Sequence, residues 1–381
     1  MARFLLTLVS VSFFLCAAPQ NIKRPKLVVG IVVDQMRWDY LYRFYNRYDE
    51  NGGFKRLLNQ GFSCENTFIP YIPTITACGH ASIYTGSVPA INGITGNEWW
   101  DYSENKYSYS AGDSNVKTIG SNTDQGLMSP KNLLVTTIGD ELRLATNFRS
   151  KVVGIALKDR SAVLPAGHSA NGAYWYDSKT GDWITSSYYL TELPAWVKDF
   201  NAKKLTDKYY AQDWNTLYPT PTYEQSAPDV RGFPRNLKQF IGKNYGIISA
   251  TPYGNSLTFE MAKAAINGEK MGESSGTDLI AISLSSPDYI GHAYGPNSVE
   301  AEDCFLRLDK EIGGFLNFLD EKIGKGEYLV FLTADHGAAN MPSFLNAHKI
   351  PAGNFDDEAA TDELNKYLSA SFNTPVWSLV L

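Results

Sequence analysis

The chain has 381 residues, 44% of them hydrophobic and 19% charged, and a net charge of −6. That composition excludes a disordered or collagen-like chain and is enough for one large core, with or without an insertion. The mild acidity argues against nucleic-acid binding through a basic surface, while leaving room for a local positive pocket that takes an anion.

Residues 1–18, MARFLLTLVSVSFFLCAA, read as a secretory signal. Arg3 supplies the positive start, residues 4–15 a short apolar run, and Cys16-Ala17-Ala18 a small-residue exit. The run is short of the ~20 residues a spanning helix needs, so a stable membrane anchor is not expected. A periplasmic or secreted protein follows, with residues 24–381 as its body. The next run, LVVGIVV (27–33), ends at Asp34. Residues 74–86, TITACGHASIYTG, are loop-like at first and then helical, with Thr76 at the helix start. VVGIAL (152–157) runs into Lys158-Asp159-Arg160. Residues 169–223 then hold 13 aromatics, about 24% against 13% for the whole chain, with little helical periodicity. This stretch, to about residue 250, reads as an aromatic-rich cap inserted over the sheet.

LIAISL (279–284) leads into Ser285-Ser286-Pro287-Asp288, and an amphipathic pattern over 300–319 predicts a crossover helix. YLVFL (328–332) leads into Thr333-Ala334-Asp335-His336-Gly337. The four short, nearly continuous apolar runs suit strands buried on both faces. They predict an α/β fold with a mostly parallel central sheet covered by helices, and function at the carboxyl ends of the strands. The last run, residues 375–381, is strand-like and has no polar tail, which suggests an unfinished element or a docked final strand. Beyond Cys16 the chain holds Cys64, Cys78 and Cys304, too few for a disulfide framework, although one bridge could form.

Chemistry gathers at the strand ends. Asp335-His336 could ligate a hydrolytic zinc if the turn splays both side chains to one side. Asp288 and His292 form a second Asp/His pair, with Gly291 and Gly295 allowing a tight turn, and Asp34 closes the first strand. Five oxygen and nitrogen ligands at one sheet edge suggest two metals. Thr76 at a helix N-terminus is placed to act as a nucleophile, although it could equally be a simple cap. Thr74, Ser82 and Cys78 are its rivals.

Together, the segments VVDQMRWDYL, YIPTITACGHASIYTG, NGITGNEWW, ALKDR, SSPDYIGHAYGPNS and LTADHGAA resemble the alkaline phosphatase superfamily. Within it the likeness is to the type I phosphodiesterase/nucleotide pyrophosphatase-like branch, and there to periplasmic alkaline phosphatases with a threonine nucleophile. It covers residues 26 to 349. The resemblance implies two zinc ions. Asp34, Thr76, Asp335 and His336 would hold one, with Thr76 as the attacking alkoxide, and Asp288 and His292 would hold the other. Asn97 would donate to a phosphoryl oxygen. Lys158 and Arg160 would mark a phosphomonoesterase and, on an extended backbone, point to one side of the sheet. The family completes its second zinc with a distant downstream His. His348 is too near to match, so one ligand is missing here and the chain reads as a fragment or a damaged short form.

The resemblance therefore implies an exported phosphomonoesterase acting on small phosphate esters through a phosphothreonine. The alternatives are a phosphodiesterase or nucleotide pyrophosphatase, or a non-catalytic protein that binds phosphate or glycan. Oligomeric state is not legible.

Overall fold

In this computed structural model, residues 24–224 and 232–373 are described. The signal-like residues 1–18 and the terminal run 375–381 lie outside them. The four apolar runs form β1 (Leu27–Val33), β5 (Val152–Ala156), β8 (Asp278–Leu284) and β9 (Tyr328–Thr333). They are joined by β4 (Thr118–Ile119), β6 (Gly172–Asp177) and β7 (Asp182–Ser186) in a seven-stranded sheet of order β4-β7-β6-β5-β8-β1-β9. The pairs β9–β1, β1–β8, β8–β5 and β5–β6 are parallel, while β7 and β4 close one edge antiparallel. A separate ribbon pairs β2 (Glu98–Asp101) with β3 (Lys106–Tyr109).

Alternation along β1 sorts the two faces. Val29, Ile31 and Val33 join the core that contains α3 (Tyr253–Gly268) and α5 (Val299–Leu319). Val32 points the other way, toward Tyr84 of α1 (Thr76–Thr85). On that same side α2 (Asp159–Ala166) packs against β5 and β6 through Ala162, Val163 and Ala166. Helices thus cover both faces, as the sequence predicts, and residues 300–319 fall within α5. One strand departs from the expectation. Among the described residues β9 has a single neighbour and Leu329 is 55% exposed, so within them it is an edge strand and is not buried on both faces.

The aromatic stretch also differs from the expected cap. Its first strands, β6 and β7, belong to the central sheet, and Trp175 and Trp183 are buried there. A strand that alternates Tyr and Trp lacks the aliphatic run that betrays the other strands. Farther on, Trp214 Nε1 donates to Asp303 of α5 at 2.8 Å and Tyr223 Oη donates to the same carboxylate at 2.5 Å. The segment after β7 is therefore anchored on the helix layer. Cys64, Cys78 and Cys304 are all free thiols, so the disulfide allowed by the sequence does not form among them.

Candidate active site

Register brings the candidate residues together. Val32 of β1 lies level with Ser283 of β8 and Thr333 of β9, and Ser283 is level with Ala156 of β5. The polar clusters after these strands therefore emerge at one edge, where Asp34, Lys158, Asp288, Asp335 and His336 are all buried.

Lys158 lies among the carboxylates. Its ammonium donates to Asp34 Oδ2 at 2.6 Å and Asp288 Oδ2 at 2.5 Å, and lies 3.4 Å from Thr76 Oγ1. Burial is the largest influence and opposes its charge, but Asp34, Asp288 and Tyr289 together outweigh it and hold the ammonium pKa above its usual value. Burial likewise opposes the Asp34 carboxylate, yet Lys158 and the His336 ring keep it well below the usual range. Asp335 goes the other way, raised by burial and by the charge of Asp34. His336 Nδ1 is 2.8 Å from the Gly337 carbonyl oxygen, which turns Nε2 toward Asp34 Oδ1 at 3.4 Å and Asp335 Oδ2 at 3.6 Å. Although burial opposes the charged ring, the hydrogen-bonding Asp34 and the Asp335 charge push its pKa up to about 9.

These residues suit a cation. Asp34 Oδ1 and Asp335 Oδ2 are buried without a well-formed hydrogen bond, with only the His336 and His80 rings 3.2–3.6 Å away, and a cation between them would relieve that cost. Ligand atoms of Asp34, Asp288 and His336 lie within 4.8 Å of one another. Carboxylate oxygens with an imidazole nitrogen are a zinc donor set. Asp34 and Asp288, which the resemblance assigns to different zincs, are both held by the Lys158 ammonium. His292 Nε2 is 3.2 Å from Asp288 Oδ1 on a mostly exposed side chain. Both sit on one face of α4 (Ser286–Tyr294), so the pair needs no tight turn, and Gly295 merely ends the helix.

Thr76 is the first residue of α1, and the helix is capped by Ile75 without a side-chain bond. The hydroxyl is therefore not spent on capping. Asn97 serves that purpose by accepting from the Ala77 N–H at 3.0 Å, which leaves its amide donor end for other partners. Of the rivals, Thr74 is exposed, and Ser82 lies six residues on along the helix. Burial pushes the Cys78 thiol up to about 11, against its thiolate.

Arg160 corrects a second expectation. Lys158 is extended, but Arg160 lies in the first turn of α2, so strand alternation does not place the pair. Instead Arg160 donates to Tyr109 Oη at 3.0 Å, and Tyr109 donates to Asp159 Oδ1 at 2.5 Å. From there its charge reaches Asp34 and Lys158. Tyr289 places its ring 5.1 Å from the Lys158 ammonium.

Two residues at the site carry no sequence signal of their own. His80 is fully buried on α1, with Nδ1 2.9 Å from the Thr76 carbonyl oxygen and 3.2 Å from Asp335 Oδ2. Gln35 donates from its backbone to Asp335 Oδ1 at 3.0 Å and from its amide to Asp288 Oδ1 at 2.7 Å.

The sequence profile of the type I phosphodiesterase / nucleotide pyrophosphatase family matches residues 28–367. The chain belongs to this family. It is 59% identical to alkaline phosphatase PhoV of Synechococcus elongatus, over 90% of this chain and 64% of that protein. It is 54% identical to a protein of Myroides odoratus named calcium-transporting ATPase, over 94% of this chain and 68% of that one. Alkaline phosphatase PafA of Elizabethkingia meningoseptica is 50% identical, and its crystal structure superposes with a TM-score of 0.89 over 93% of this chain and 70% of PafA. The chain thus spans about two thirds of the length of these relatives. Among the described residues no helix is long and apolar enough to cross a membrane.

Proposed function

We propose that this chain is a zinc-dependent phosphomonoesterase that acts through a phosphothreonine at Thr76. One observation carries the reading. An uncapped threonine hydroxyl at a helix N-terminus lies 3.4 Å from a buried ammonium that two carboxylates hold in place. The names of PhoV and PafA support it. Asp34, Asp335 and His336 would hold one zinc, and Asp288 with His292 would contribute to a second. Bound there, the metals would lower the threonine's pKa, offset phosphoryl charge and stabilise the leaving oxygen.

The chain's own groups do the rest. Thr76 Oγ1 attacks phosphorus, its new bond forming as the ester P–O bond breaks and the alcohol departs. Water then attacks the phosphothreonine, releasing inorganic phosphate and restoring the hydroxyl. Lys158 and Arg160 bring two positive charges to a phosphoryl group that carries nearly two negative ones in a monoester and one in a diester. That match favours a monoesterase over the diesterase alternative. Phosphoryl transfer gains mainly from positioning and electrostatics, which a rigid strand-end site supplies. Export is part of the reading and rests on residues 1–18.

The test is turnover of an aryl phosphate by the zinc-loaded protein. Thr76→Ala is expected to abolish it, and Thr76→Ser to retain a substantial part, because serine offers an alkoxide of similar reach. Wild-type turnover by Thr76→Ala would remove Thr76 as nucleophile. Binding of phosphate without any turnover by the parent chain would favour the non-catalytic alternative.

A further inference from the structure

Gln35 follows Asp34 directly, with φ 62° in the left-handed region that side-chain-bearing residues rarely adopt. Such a conformation persists only where the surroundings impose it. Here the turn aims the Gln35 N–H at Asp335 beyond β9, and the buried side chain reaches Asp288 on α4. A carboxylate oxygen only accepts, so the amide must present its NH2 end to Asp288 Oδ1. The other end is accommodated by a missing side chain, since a Cβ on Gly291 would stand 1.9 Å from Gln35 Oε1. One residue therefore joins the ends of β1, β8 and β9.

We propose that Gln35 is a positioning residue for the metal centre, an inference that rests on the zinc reading above. Asp288 has two oxygens with different neighbours. Lys158 holds Oδ2, while Gln35 holds Oδ1 beside His292. The Gln35 amide fixes the rotation of this carboxylate and so the direction in which it meets a cation. Hydrogen bonds of this kind around ligands typically govern metal affinity by ten- to a hundredfold. If the residue were only structural, glycine would serve better, because it takes the left-handed turn without strain.

The experiment compares the full chain with Gln35→Gly and Gln35→Met. Zinc affinity is read by competition with a chromophoric chelator, and the Tm is read separately after metal removal. Gln35→Met keeps the length and loses the donor, whereas Gln35→Gly also relieves the strained turn. Both are expected to bind zinc ten- to a hundredfold more weakly. Gln35→Gly is expected to keep or raise the metal-free Tm. Wild-type zinc affinity in both variants would overturn the assignment of Gln35 while leaving the metal centre standing. A fall in metal-free Tm in both variants without a change in affinity would make Gln35 a folding residue and also overturn it. No zinc uptake by the parent chain would overturn the metal reading and this inference with it.

Discussion

Lys158 joins fold and chemistry in one side chain. Its ammonium is buried, and such a charge is tolerated only because Asp34 and Asp288 accept its hydrogen bonds. Arg160 is placed differently, by Tyr109, which Asp159 in turn engages. The two cations therefore converge from separate supports, and neither is the surface salt bridge that a polar cluster past a strand would suggest. Replacing both with Ala is expected to lower kcat/KM for a phosphomonoester by roughly 1.5–3 kcal/mol for each charged hydrogen bond lost. A diester, with one charge fewer, is expected to lose far less. Steady-state kinetics on matched aryl mono- and diesters checks this. Equal losses on the two substrates would assign the pair to folding or metal binding, and the monoesterase reading would fall.

At the scale of elements, α1 and the turn after β9 depend on each other. A Cβ on Gly79 would stand 2.5 Å from the Asp335 carbonyl oxygen and 2.6 Å from its Cβ. Backbone cannot rotate away as a long side chain can. Gly79→Ala is therefore expected to push α1 and Asp335 apart, at a cost of about 1–3 kcal/mol in urea unfolding, and to weaken zinc binding. Unchanged stability and unchanged affinity would show that the helix can shift without moving the ligand. The approach also shows where sequence reading stops. The strands at the core of the sheet were legible because buried parallel strands leave continuous apolar runs, and the candidate ligands because they stand directly after those runs. β6 escaped notice because Tyr174, Trp175 and Tyr176 fill its buried positions with aromatics. The edge position of β9 among the described residues was hidden because an apolar run is silent about how many neighbours it has. Gln35 and His80 were hidden too, since their importance lies in contacts across some 200 to 300 residues of chain.

For the whole molecule, burying a charge away from the site has consequences for stability. Glu311 on α5 faces α3, where it engages Ser256 Oγ, and its Oε2 is buried without a hydrogen-bond partner. Arg307 of its own helix and Lys263 of α3 attract its charge, while Glu260 opposes it, and Tyr209 and Cys304 are also close. Burial is the largest influence and pushes its pKa from 4.5 up to about 7. Between those values the folded chain keeps a proton that the unfolded chain has lost, so this group's contribution makes the protein less stable as pH rises from 4.5 to 7. Above 7 the loss is complete. At about 1.4 kcal/mol per pH unit it amounts to about 3 kcal/mol. Glu311→Gln keeps the shape and removes the charge. It is expected to be more stable than the parent at pH 8, with the gap closing as pH falls through 7 and nearly gone at pH 5. Urea unfolding of both proteins at pH 5 and pH 8 measures the difference. A gap of the same size at both pH values would mean that packing, rather than the buried charge, sets the effect.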